Sequence, residues 1–236
     1  MDQPPSPLAR GIYLRLSVTD RCDLRCRYCA PGRRPQSTCI LGKPALVALV
    51  EAIAAVQPIR KIRLTGGEPL LRPDLIEIVR TLHERLPDAE LALTTNGTRL
   101  AACASALREA GVSALNVSLD SPDREGFAAL AGRSALDEVL AGLEAARAVG
   151  FERLKLNTVL LHSWNRGRLA ALVRIGARHG CDEVRFIELM PLGPAAQIFG
   201  AERFSAAAAL AELDGAFRRL GPLDRSGTAE RYRFEV

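Results

Sequence analysis

The stretch IYLRLSVTDRCDLRCRYCAPG, residues 12–32, joins a run of alternating apolar positions to three closely spaced cysteines. Ile12, Leu14, Leu16 and Val18 recur every second residue, the period of a β-strand with one buried face. Cys22, Cys26 and Cys29 follow with the spacing C-x-x-x-C-x-x-C, on the loop that leaves this strand. Thiolates are soft ligands that select zinc, copper(I) or iron-sulfur clusters, whereas carboxylates and water suit hard cations. Structural zinc takes four ligands, commonly from two C-x-x-C or C/H pairs. This chain has no second pair, and His83, His162 and His179 stand apart from one another. A 4Fe-4S cluster normally takes four cysteines. Held by three, it keeps one iron open for a small molecule.

Outward from that loop, the runs KIRLTG (61–66), LALTT (91–95), LNVSLD (115–120), RLKLNTVL (153–160) and EVRFIEL (183–189) read as further strands. Helical patterns lie between and after them, over 45–56, 73–86, 99–110, 136–149 and 166–179. Strands that alternate with helices imply parallel βαβ units. Right-handed crossovers wind such units into an open sheet or a barrel. FSAAAALAELDGAF (204–217) is alanine-rich but helical in pattern, and the tail ERYRFEV (230–236) alternates like a half-buried strand. The expected organisation is a loose proline-containing lead-in at 1–10, one α/β unit over 11–220, and a tail at 221–236 carrying an edge strand.

Composition narrows the class. With 48% hydrophobic and 25% charged residues, the chain is neither disordered nor a small disulfide scaffold. The net charge of +5 suits an anionic ligand, yet the basic residues are scattered, the pattern of a solvated surface. No secretory leader is expected, so the six cysteines point to metal binding before disulfides. The most apolar stretch, ALVALVEAIAAV (45–56), is too short to span a bilayer and carries Glu51. No membrane association and a cytoplasmic location are expected.

The cysteine spacing, with the aromatic Tyr28 before the last cysteine, resembles the signature of the radical S-adenosylmethionine superfamily. The resemblance implies a partial (β/α)6 TIM-type barrel, with one 4Fe-4S cluster on Cys22, Cys26 and Cys29. It also implies S-adenosylmethionine at the open iron and a 5′-deoxyadenosyl radical released after reduction by an electron donor. TGGEP (65–69), TTNG (94–97) and NVSLD (116–120) follow later strands in the order the superfamily shows. Each segment alone reads as a tight turn, an Asn-Gly turn, or a strand running into a helix cap. In TGGEP the absence of Cβ on Gly66 and Gly67 would let the backbone come close to a ligand.

More narrowly, LRLSVTDRCDLRCRYC, KIRLTGGEPLLRPDL, LTTNG, LNVSLDS, LKLNTVL and VRFIELMP resemble the molybdenum cofactor biosynthesis protein A family of GTP 3′,8-cyclases, over most of residues 12–192. That family's S-adenosylmethionine contacts fall on Tyr28, Gly67, Ser118 and Met190. Its GTP contacts fall on Arg15, Arg63, Thr94 and Lys155. Three cations aimed into a barrel mouth suit a triphosphate through charge-assisted hydrogen bonds. His162, Trp164 and His179 read as packing or surface residues, Cys103 and Cys181 as inert thiols. Cys39, in the loop leaving the triplet, has no assigned role.

The family's chain continues into a region with a second three-cysteine cluster, intervening arginines and a Gly-Gly end, none of which occurs before Val236. Ala30 also stands where the family usually has methionine. Three accounts stay open: a shortened cyclase, a relative acting on a peptide, RNA or another nucleotide, or half of a site completed by a partner chain or second copy. A non-enzymatic iron-sulfur or zinc protein is the alternative of a different class.

Overall fold

The computed structural model describes residues 11–29, 40–226 and 229–236. The lead-in, Ala30 and Cys39 lie outside them. Six strands, β1 (Ile12–Ser17), β2 (Ile59–Thr65), β3 (Glu90–Thr95), β4 (Val112–Ser118), β5 (Arg153–Leu160) and β6 (Glu183–Glu188), form one parallel sheet in that order. The order never reverses. A doubly wound sheet has a switch point where it reverses and sends helices to both faces; same-handed crossovers without reversal put the helices on one face. The sheet is therefore a curled partial barrel, with helices outside and an open bore within.

The crossovers carry α1 (Lys43–Val56), α2 (Leu75–Arg85), α3 (Leu100–Glu109), α4 (Arg124–Ala131), α5 (Leu136–Val149), the short α6 (His162–Asn165) and α7 (Leu169–Arg178). Alternation along the strands sorts the side chains. Ile62, Leu64, Leu91, Leu93, Leu115, Val117, Leu154 and Leu156 are buried in the main core shared with the helices. The opposite, inward face is polar, with Lys61, Arg63, Glu90, Thr94, Asn116, Arg153, Lys155, Glu183 and Arg185 aligned across neighbouring strands. A sheet that buries one face against helices and turns charges inward makes a bore for a polar ligand rather than a second core.

Beyond β6 come α8 (Ala195–Glu202), α9 (Ala206–Ala216) and the antiparallel hairpin of β7 (Arg218–Ser226) and β8 (Ala229–Glu235). The terminal strand expected at a sheet edge pairs with β7 in a separate two-stranded sheet. The hairpin is rooted by an edge-to-face contact of Phe217 with Phe234, and by Arg174 of α7 over the Phe217 ring. Among the described residues, no helix is long and apolar enough to cross a membrane.

Candidate functional site

Residues 19–29 leave the carboxyl end of β1, the end at which barrel enzymes assemble their sites. Three neighbouring segments clamp this loop. From β2, the Gly67 amide donates to the Thr19 carbonyl at 2.7 Å and the Glu68 amide to Arg21 at 2.6 Å. Gly66 has φ +155°, and a Cβ built on it would lie 2.2 Å from the Thr19 oxygen. On Gly67 the same atom would lie 2.3 Å from the Arg21 oxygen. These glycines thus make room for the backbone of the cysteine loop, a tighter constraint than the close ligand approach expected from sequence.

From β3, Asn96 donates to Asp23 at 2.8 Å and sits 3.9 Å from the Cys22 sulfur, while the Thr98 hydroxyl donates to Asp23 at 2.8 Å. Arg133 closes the same carboxylate at 2.5 Å. From α4, the Ala131 and Leu130 carbonyls accept from the Arg25 and Arg27 amides at 2.8 and 3.1 Å.

Two buried carboxyls support this frame. Glu68 is fully buried and accepts from the Leu70 and Asn96 amides and the Thr95 hydroxyl. Burial pushes it up to about 7 against those three bonds. Asp120 accepts from the Tyr28 hydroxyl at 2.5 Å and the Val159 amide at 2.7 Å, and burial pushes it up to about 6. Asp120 is therefore an anchor for Tyr28 rather than a helix cap; the cap of α4 is Asp123, which accepts from the Gly126 amide. Asn165 extends the anchor by donating to the Asp120 and Val159 carbonyls. Sequence reading assigned no role to Asp23, Glu68 or Asn165, because their partners come from distant segments.

Cys22, Cys26 and Cys29 are half-buried thiols. Burial raises Cys22 and Cys26, and the field of neighbouring thiols and carboxylates adds to it. Among the described residues, no three His, Cys, Asp or Glu side chains gather where a single metal ion could sit. A four-iron cube asks for something else, since each sulfur takes a different corner. The chemistry of three soft donors on one short clamped loop fits such a cluster. Cys103 and Cys181 lie apart from it; burial raises both, Cys181 to about 12.

The other expected residues spread around the bore. Tyr28 and Ser118 border a cavity of about 50 Å³ together with Cys26, Asn96 and Asp120, room for a few waters rather than a cofactor. Beside Ser118 in register, Asn157 keeps its amide oxygen buried with no hydrogen bond among the described residues. Buried polar groups are ordinarily satisfied, so a bound polar group there would complete it. Met190, just past β6, is 60% exposed. A larger cavity of about 440 Å³ lies between Arg25, Arg27 and the start of α8, and none of the expected residues lines it.

Deeper in the bore, Arg63 is 7% exposed, donates to Thr94 at 3.3 Å and bonds the Tyr13 hydroxyl. Arg15 is level with Arg63 on β1, exposed and without an ion pair among the described residues. Lys155 contacts Glu183 at 2.9 Å. Burial lowers Lys155 despite that partner, with Arg185 and Arg153 adding to the effect. Burial acts upward on Glu183, but the bonds from Lys155 and Arg185 together hold it low. The carboxylate is thus over-supplied with cations while each cation is under-supplied with anions.

A family model described as the radical SAM superfamily matches residues 16–175. A GTP 3′,8-cyclase of Ectopseudomonas mendocina is 48% identical over 81% of this chain and 58% of its own length. GTP 3′,8-cyclase 1 of Pseudomonas aeruginosa is 39% identical over 93% of this chain and 67% of its own. The chain thus spans little more than half of the first of these relatives. Among solved structures, Streptococcus suis SuiB bound to S-adenosylmethionine has a TM-score of 0.69 at 17% identity, covering 86% of this chain and 46% of that one. That likeness supports the partial-barrel fold. The chain belongs to the radical SAM superfamily and, within it, to the family of the GTP 3′,8-cyclases.

Proposed function

We propose that this chain holds one 4Fe-4S cluster on Cys22, Cys26 and Cys29, binds S-adenosylmethionine beside it, and acts on GTP in the first step of molybdenum cofactor biosynthesis. The observation that carries the reading is the placement of a clamped three-thiol loop at the mouth of a bore rich in cations. A cluster held by Cys22, Cys26 and Cys29 would supply the electron for reductive cleavage of S-adenosylmethionine and, through it, the radical chemistry that activates the ribose. Tyr28, Gly67, Ser118 and Met190 are assigned to S-adenosylmethionine, and Asn157 joins them through its unsatisfied amide oxygen. Arg15, Arg63, Thr94 and Lys155 are assigned to GTP. Tyr13 and Thr94 fix the Arg63 fork, and Glu183 fixes Lys155, so both cations are positioned before a triphosphate arrives. Asp120 locks the Tyr28 ring next to the thiols. A one-electron donor is required.

The test is anaerobic reconstitution followed by product analysis with GTP or ATP supplied. The reading predicts 5′-deoxyadenosine together with a cyclised product from GTP alone. Deoxyadenosine without any GTP-derived product would turn the assignment to another substrate, a peptide, RNA or different nucleotide.

A further inference from the structure

The C-terminal hairpin reaches the bore. Arg231 of β8 donates from Nη2 to Glu183 Oε1 at 2.8 Å. The other oxygen of the same carboxylate faces Lys155 Nζ at 2.9 Å and Arg185 Nε at 3.0 Å. One carboxylate therefore gathers three cations from three strands, β5, β6 and β8. A second inward carboxylate, Glu90 of β3, is shared in the same way, by Lys61 at 2.5 Å and Arg153 at 2.6 Å. Among the described residues, inward positions of the six strands, with Arg231, bring together seven cations, counting Arg15 and Arg63, against these two carboxylates. Such an excess in a half-enclosed space is balanced by an anion that carries several charges.

Resting on the nucleotide reading of the bore only for the identity of the base, we propose that Arg231 is a polyphosphate ligand delivered by the hairpin. Its planar fork suits two oxygens of a phosphate chain in a way that a lone ammonium does not. Glu183 holds that fork next to Lys155 and Arg185 until the anion arrives. The hairpin thereby belongs to the binding site, and its rooting on α7 through Phe217 and Arg174 sets where the fork stands.

The experiment measures binding of inorganic triphosphate, GTP and guanosine to the full chain and to three variants, with thermal melting as the check on folding. Arg231→Gln should weaken triphosphate and GTP about tenfold, the loss of one charge-assisted hydrogen bond, and leave guanosine unchanged. Glu183→Gln cuts the same ion pair but keeps the guanidinium and an amide oxygen for Lys155, so any loss of triphosphate affinity should be clearly smaller than in Arg231→Gln. Arg233→Gln, at an exposed position of the same strand, should change nothing. Equal triphosphate binding by the wild type and Arg231→Gln, including none by either, would overturn the proposal. So would a loss in Glu183→Gln as large as in Arg231→Gln, which would make the pair a structural clamp, or an equal loss in Arg233→Gln. The GTP reading fails separately, if GTP binds no more tightly than triphosphate alone.

Discussion

Replacing Gly67 with Ala would place the new methyl carbon 2.3 Å from the Arg21 carbonyl oxygen, 2.6 Å from its carbon and 2.8 Å from the Asp20 oxygen. All three are backbone atoms, so no side chain can swing away. The loops must part. Their separation would break the two hydrogen bonds, at 2.7 and 2.6 Å, by which the Gly67 and Glu68 amides hold the β2 loop to the cysteine loop. Two such bonds contribute about 1 kcal/mol each, and forcing a methyl into a filled space costs about 1–3 kcal/mol more. The expected loss is about 3–5 kcal/mol, a fall in Tm of about 10 °C for a chain of this size. Partial relief by local displacement would move Cys22 off its place and lower iron uptake instead. Calorimetry and iron analysis after anaerobic reconstitution read both outcomes. Gly215→Ala in α9 is the control: nothing lies within 4 Å of its built Cβ, and helix propensity predicts a gain of about 1 kcal/mol. A Gly67→Ala protein with Tm within about 2 °C of wild type and full iron content would refute the close docking of the two loops.

Three further outcomes are expected. Glu68 has a folded-state pKa near 7, raised from 4.5, so its contribution is present at low pH and is lost as pH rises through 7. Unfolding free energy should fall by about 3 kcal/mol between pH 4.5 and 8, and urea titrations of Glu68→Gln should lack that slope. Tyr28→Phe leaves the buried Asp120 with the Val159 amide alone, and should cost about 1–3 kcal/mol at pH 8 but less at pH 5, where the carboxyl is protonated. Equal losses at both pH values would disprove the charged hydrogen bond. Arg63→Gln should weaken GTP binding about tenfold or more in equilibrium titrations, because a buried, prepositioned guanidinium is removed; unchanged affinity would take Arg63 out of the substrate set.

The strands of the sheet were legible because each carries a short Val, Ile and Leu run, and the reading IYLRLSV differs from β1 by a single residue. Helix α5 matched its expected limits, Leu136–Val149. Helix α4 went unread, since its eight residues offer barely two turns of periodicity. Strand β7 could not be seen in RRLGPLDRS, where Gly221 and Pro222 suppress a strand signal and pairing with β8 supplies the order. The cysteine triplet announced its chemistry by spacing alone. What holds it did not: Asp23 meets Arg133 across 110 residues and Tyr28 meets Asp120 across 92, contacts that exist only once the barrel has wound. The alternation around Lys155 marks it as an inward charge, but its neighbours Glu183, Arg185 and Arg231 emerge only from strand register and the returning hairpin.

The proposed function depends on a cluster held at three corners, with the fourth left for S-adenosylmethionine. The most direct measurement is electron paramagnetic resonance of the reduced, anaerobically reconstituted chain, with and without S-adenosylmethionine, alongside metal analysis of the wild type and of Cys22→Ala, Cys26→Ala and Cys29→Ala. The expected result is about four irons and four sulfides per chain, a signal that changes when S-adenosylmethionine is added, and loss of the cluster in all three variants. A signal indifferent to S-adenosylmethionine, or a cluster that survives the loss of one of these cysteines, would contradict it.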